Sequence, residues 1–272
     1  TYNKVIIGAP SAQSGILDLQ DMVWSDNSRY FLSSGWAFYQ NQYFTPNDLG
    51  AQSITPTRYL NPGDIGPQYL SARSAGTYRL TVLLPPGSRQ YALEVPQISG
   101  QYQLWINGQC YADTISPQTI SASLAVLVFE AARQVDIVIA ANDISQSQSG
   151  LIHPPVFGCP TVLWKLMICR LLVGSAACVL ALALAMTSLA VSFNSLNPRA
   201  GLYRMLLCLC YAGGVSRLPL HMLSIRGDML RVLTSSCFFG MILAFFLVFG
   251  TVCQMPRKWH RAMCAVALAQ CV

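Results

Sequence analysis

Two hydrophobic patterns divide the chain. From Tyr30 to about Ile144, apolar and polar residues alternate in short runs, the period of half-buried strands. "GTYRLTVLLP" sets Tyr78, Leu80 and Val82 against Arg79 and Thr81. "YALEVP" alternates too, "YQLWI" runs into Asn107-Gly108, and "VDIVIA" closes the series. Pro46, Pro62-Gly63, Pro85-Pro86-Gly87 and Ser99-Gly100 punctuate the runs. Asn-Gly suits the two positive-φ positions of a type I′ turn, so "LWINGQ" predicts a hairpin tip at 104–109. Many short strands at this spacing predict an all-β sandwich, and about 120 residues can bury its core without disulfides.

Beyond His153 the alternation gives way to unbroken apolar runs. Residues 171–193 carry no charge and would cover roughly 35 Å as a helix, against a hydrocarbon core of about 30 Å. Two further spans are predicted at 202–221 and 232–252. A fourth begins at Ala262, and its eleven residues to Val272 would cover only about 16 Å. The sequence is therefore expected to be a fragment that stops inside a helix, and Thr1, with no signal peptide before it, to be a processing or trimming point. The resulting layout is a β-domain at 1–150, a juxtamembrane connector at 151–165 and a transmembrane region at 166–272.

Charge follows the same division. Before His153 ten acids face seven bases; after it Asp228 is the only acid against ten bases. The net charge of +6 thus belongs to the apolar half, where bases flank the runs as they do beside bilayers. Nucleic acid is not an expected partner; membrane lipid is. The connections "NSLNPRAGLYR" and "QMPRKWHR" hold Arg199, Arg204, Arg257, Lys258 and Arg261, and the positive-inside rule puts both in the cytoplasm. The β-domain then lies outside. "SRLPLHMLSIRGDMLR", with Arg217, Arg226 and Arg231, would be external and runs against this orientation.

Arg217 and His221 are the candidate intramembrane polar residues. The blander alternative puts Arg217 at a helix end, snorkelling to the headgroups, with Pro219 marking the exit. Eight of the ten cysteines lie in or beside apolar runs, where Cys acts as a small hydrophobe. Cys110 and Cys159 fall in the polar half, and their pairing stays open.

Catalytic patterns are scarce. The sequence holds no Gly-x-Ser-x-Gly, no phosphate-binding loop and no zinc-type pair among His153, His221 and His260. Glu94 and Glu130 are the only glutamates, and Glu94 alternates outward beside Leu93 and Val95. An enzyme is not expected, nor is a cofactor or a metal. Trp36, Phe38 and Tyr78 sit at alternating positions and read as core. Trp105 is the candidate ligand platform, with Tyr102 the weaker one.

"SSGWAFYQNQYFTPNDL", "NPG", "GTYRLTVLLPP" and "ALEVPQISGQYQLWINGQ" together resemble the extracellular jelly-roll domain of bacterial seven-transmembrane receptors with diverse intracellular signalling modules. Gly35, Trp36, Phe38, Tyr39, Pro62, Gly63, Thr77, Tyr78, Arg79, Leu80, Asn107 and Gly108 carry the likeness. "SGLIHPPVFG" is similar to the family's last element before the membrane, and "GLYRMLLCLCYAGGVSRL" to its second helix. The resemblance implies an all-β, galactose-binding-like jelly-roll sensor followed by an α-helical transmembrane bundle in the bacterial inner membrane. It implies an external ligand of sugar-like or protein nature, and an output module such as a histidine kinase or diguanylate cyclase. A second copy of the chain, as a homodimer, is a further partner this reading admits. The alternative is a membrane-anchored carbohydrate-binding or glycan-processing protein, which one helix would serve. A transporter is a third, but charges deep in the spans are missing.

Overall fold

The structure, a computed structural model, describes residues 10–51, 54–62, 76–87, 89–96, 98, 101–114, 125–142, 151, 153–194, 198–216, 219–220 and 227–253. The chain forms two compact units, Thr1–Leu166 and Met167–Val272.

The first unit is built from short strands: β1 (Ile16–Asp18), β2 (Arg29–Phe31), β3 (Trp36–Gln40), β4 (Arg58–Leu60), β5 (Gly76–Leu83), β6 (Arg89–Glu94), β7 (Gln101–Ile106), β8 (Gln109–Asp113), β9 (Val126–Ala131), β10 (Gln134–Asn142) and β11 (Val156–Gly158). One short helix, α1 (Pro46–Ala51), lies between β3 and β4. A seven-stranded sheet runs β4-β3-β5-β10-β7-β8, with β1 also on β5. A four-stranded sheet runs β2-β11-β6-β9. The β1–β5 pair is parallel and every other pair antiparallel.

The alternation explains how the sheets meet. Tyr78, Leu80 and Val82 of β5, Ile137 and Ile139 of β10, and Leu104 and Ile106 of β7 turn the same way. They join Tyr91, Leu93, Phe129 and Phe157 of the other sheet in one buried cluster, so the two sheets enclose a single core. Trp36 and Phe38 are both fully buried in it, as their spacing predicts. Complete burial leaves the Trp36 indole N–H needing a partner, and it donates to the Leu32 carbonyl at 2.7 Å. Gly35, at φ +67, lies against the Ala12 backbone where a Cβ would not fit, so glycine is required there.

The predicted hairpin tip is present. Asn107 (φ 50) and Gly108 (φ 80) both adopt the left-handed conformation of a type I′ turn between β7 and β8. Asn107 also exchanges hydrogen bonds with Asp136, its N–H donating to the carbonyl and its Oδ1 accepting from the Asp136 N–H, each at 2.9 Å. The stretch 151–165, read from sequence as a connector, is structural. Leu151 joins the core, and β11 sits between β2 and β6 inside the smaller sheet. A strand of three residues is too short to show an alternation.

Among the described residues three long helices follow: α2 (Pro160–Asn194), α3 (Pro198–Val215) and α4 (Gly227–Val252). The first two begin on proline, whose fixed φ and missing N–H suit the first helical turn. α2 is longer than the predicted 171–193. Its 35 residues would extend about 52 Å, so the turns carrying Lys165 and Arg170 exceed what a bilayer needs. Among the described residues two helices, Pro160–Asn194 and Val232–Val252, are long and apolar enough to cross a membrane. α3 ends at Val215 rather than 221, and Arg217, His221 and the fourth predicted span from Ala262 lie outside the described residues. α3 and α4 pack through a reciprocal pair of small-residue contacts. Cys237 Sγ closes on Gly213, and Cys210 Sγ on Gly240. A side chain at either glycine would push the helices apart.

Candidate functional site

The two faces of the seven-stranded sheet differ in chemistry. One faces the core. The other, the outer face, is laid out by the strand registers. Across it run Tyr59, Ala37, Arg79, Val138 and Trp105, each opposite the next on strands β4, β3, β5, β10 and β7. A second row is Tyr39, Thr77, Ala140 and Gln103. A third pairs Ile16, Thr81 and Asp136.

Trp105 is on this outer face, yet it is only 8% exposed. It packs in a satellite cluster with Ala37, Tyr39, Leu49, Val138 and Ala140, joined by Phe44 and Ile54. Phe44, Leu49 of α1 and Ile54 supply the cover. Thr77, fully buried, holds the Phe44 end of this cover: its Oγ1 donates to the Gln42 carbonyl at 2.8 Å and accepts from the Phe44 N–H at 2.9 Å. Tyr102 belongs to the opposite face. It lies in the core between the sheets at 2% exposure, so its ring offers no platform to a ligand. The alternation of β7 is the physical reason: Tyr102, Leu104 and Ile106 turn inward, Gln103 and Trp105 outward.

What sequence reasoning missed is a polar group beside these aromatics. Arg79 Nε donates to Asp136 Oδ1 at 3.0 Å, and the Thr81 hydroxyl donates to the same oxygen at 3.0 Å. The two charged side chains remain 33% and 23% exposed. Burial works against the Arg79 charge, but the bond to Asp136 and its negative charge outweigh it, and the guanidinium pKa is raised. Tyr39 also bonds to Arg79; burial raises its hydroxyl above the usual phenolic range, with the Arg79 charge opposing. Tyr59 is 49% exposed and presents an aromatic ring to solvent on this face. Arg79 and Asp136 are 57 residues apart and Tyr59 lies on a three-residue strand, so only the sheet order reveals the group.

Elsewhere the chemistry is sparse. Cys110, at the rim beside Trp105, and Cys159 are both free thiols. Burial, then the Asp113 charge, pushes the Cys110 thiol up, away from the reactive thiolate. Among the described residues no group of three His, Cys, Asp or Glu is placed to hold a metal ion. In the second unit an apolar groove of about 560 Å³ lies between the three helices, lined by Ala181, Leu184, Cys208, Tyr211, Met241 and Phe245 among others. It contains no charged group.

No family profile matches the chain, and no curated protein does. Weak, partial likenesses to solved structures exist. A GH2 β-galacturonidase from Eisenbergiella tayi bound to glycerol shares 12% identity at a TM-score of 0.32, over 48% of this chain and 24% of that one. A β-glucuronidase from Faecalibacterium prausnitzii shares 13% at 0.31, over 49% and 31%. A Ruminococcus gnavus β-glucuronidase in complex with uronic isofagomine shares 12% at 0.31, over 57% and 31%. The chain thus spans less than a third of each of these enzymes, and likenesses at this level say nothing of its activity.

Proposed function

We propose that the chain is the sensing part of a multi-pass receptor of the bacterial inner membrane. Its jelly-roll domain lies in the periplasm and meets a soluble, sugar-like ligand. Its helices pass that event to a cytoplasmic output module such as a histidine kinase or diguanylate cyclase. The observation that carries the reading is one chain combining a polar-aromatic sheet face, at Tyr59, Arg79 and Asp136, with helices apolar enough to cross a membrane. Sensing of this kind needs a ligand whose affinity differs between two states of the bundle, since equal affinity for both shifts nothing.

A membrane-anchored glycan-binding protein is the alternative. The same sheet face would serve it, but a single helix would hold it in place, and the second apolar helix, Val232–Val252, is then unexplained.

Orientation is the first thing to test. In a cysteine-free background, a reporter cysteine at Asn142 should react with a membrane-impermeant thiol reagent in spheroplasts, and one at Asn197 should not. The reverse pattern would place the β-domain in the cytoplasm and remove the receptor reading.

A further inference from the structure

We infer that the outer face between Tyr59 and the Arg79–Asp136 pair is a binding site for a neutral pyranose, with Tyr59 rather than Trp105 as its stacking platform. This deepens the sensor reading and rests on it.

The platform follows from exposure. Of the aromatic rings in the rows on this face, Trp105 and Tyr39 are 8% and 4% exposed, packed with Phe44, Leu49 and Ile54, whereas Tyr59 is 49% exposed. A sugar ring stacks its C–H face on an aromatic surface, and only an accessible ring can supply one. Small residues separate the ring from the pair. Ala37 lies directly between Tyr59 and Arg79, so the two flanking side chains rise from strands about 9–10 Å apart. Gly15 adjoins it. A Cβ there would stand 3.4 Å from Ala37 Cβ and 3.9 Å from Tyr59 Cε1, and the φ of +82 already disfavours any side chain. Gly15 and Ala37 are themselves buried, so the face between Tyr59 and the pair is shallow and a sugar would rest on the exposed Tyr59 ring and the exposed edge of the pair.

The polar wall sets the ligand class. Vicinal hydroxyls each donate and accept, so they match an adjacent carboxylate oxygen and guanidinium N–H. Among the described residues, both bonds that Asp136 accepts at its carboxylate end on Oδ1, and Oδ2 keeps its accepting capacity toward them. Arg79 has spent Nε on Asp136 and bonds Tyr39, and among the described residues its other N–H groups are available on a side chain one-third exposed. The pair is already neutral as a unit. An acidic sugar would set its carboxylate against Asp136 with no uncompensated cation to receive it, whereas a neutral sugar meets no such opposition.

The full chain in lipid nanodiscs, titrated with methyl β-D-glucopyranoside, methyl β-D-galactopyranoside and methyl β-D-glucuronide, tests this by saturation-transfer NMR and calorimetry. At least one neutral glycoside should bind, and the glucuronide at least about tenfold more weakly. Tyr59→Ala and Asp136→Asn should each weaken binding by about tenfold or more, Tyr59→Phe should restore it, and Trp105→Phe should leave it within about twofold. Circular dichroism confirms that each variant is folded, which the exposure of Tyr59 makes the expected result. Absence of binding by both neutral glycosides at millimolar concentration overturns the inference, as does a preference for the glucuronide or binding indifferent to Tyr59→Ala. Failure here removes the sugar ligand but leaves a receptor for another external ligand standing, because the orientation of the β-domain is read separately by the reporter cysteines.

Discussion

In the two-sheet unit Leu80, Leu93, Val135 and Ile137 are completely buried, whereas in α2 Leu172, Val173, Val179 and Met186 are exposed by about two-thirds. The residue types are the same, and the surroundings they need are opposite. In the sandwich each apolar side chain finds its partners across the core, worth roughly 1.5–3 kcal/mol for a fully buried leucine or valine. Along α2 the apolar residues point all round, a surface that water would not tolerate over this length. The sandwich brings its solvent with it; α2 is apolar enough to take its own from a bilayer. An outer sheet face with an ion pair and an exposed tyrosine belongs to the aqueous side of that division.

Substitutions can break this comparison. Trp36→Ala in the sandwich should be the most damaging, at about 3–5 kcal/mol, because it opens a cavity and strands the Leu32 carbonyl. Denaturant titration followed by the β signal measures it, and a change below about 1 kcal/mol would contradict a core between the sheets. Leu182→Arg, at the middle of the charge-free stretch of α2, should cost about 3 kcal/mol of membrane insertion. At 43% exposure the same change on a water-soluble helix would be nearly neutral, so an unchanged membrane-integrated fraction would remove α2 from the bilayer. On the outer face Asp136→Asn should alter stability by less than about 1 kcal/mol, since its ion pair is partly solvent-screened. Its effect belongs to ligand binding, and a large loss of stability would make the pair structural.

The smallest effect concerns α1. The Thr45 hydroxyl and the Thr45 N–H both donate to Asp48 Oδ2, at 2.7 and 2.8 Å, and these bonds lower the pKa of the Asp48 carboxyl. A carboxylate with a folded-state pKa below its unfolded one stabilises fully above the unfolded value, and loses that contribution as pH falls through the folded one. Amide exchange at Leu49 should therefore quicken as pH drops below the ordinary carboxylate range, after correction for intrinsic rates. Asp48→Asn should abolish that dependence.

Much of the fold was legible in the sequence because alternation is a local signal. Leu80 and Val82 against Arg79 and Thr81 already state which side of β5 is core, and Asn107-Gly108 states where β7 turns. By the same rule Tyr102 could have been set aside, since it shares a parity with Leu104 and Ile106. The site was not legible. It depends on β5 pairing with β10, which brings Arg79 to Asp136, and on β4 pairing with β3, which sets Tyr59 across Ala37. Nor does the sequence say that Leu49 and Phe44 fold back over Trp105, because that burial comes from a segment far from it in the chain.

Whether binding outside is felt inside separates a sensor from an anchored glycan binder. With a fluorine label on Cys208, which lines the groove between the helices, ¹⁹F NMR of the full chain in nanodiscs reads the bundle directly. A sensor predicts that saturating methyl β-D-glucopyranoside or methyl β-D-galactopyranoside, whichever occupies the outer face, redistributes the Cys208 resonances, and that Tyr59→Ala abolishes the change. A spectrum unmoved by a glycoside that demonstrably fills the site would contradict a receptor and leave a domain that merely holds sugar at the membrane.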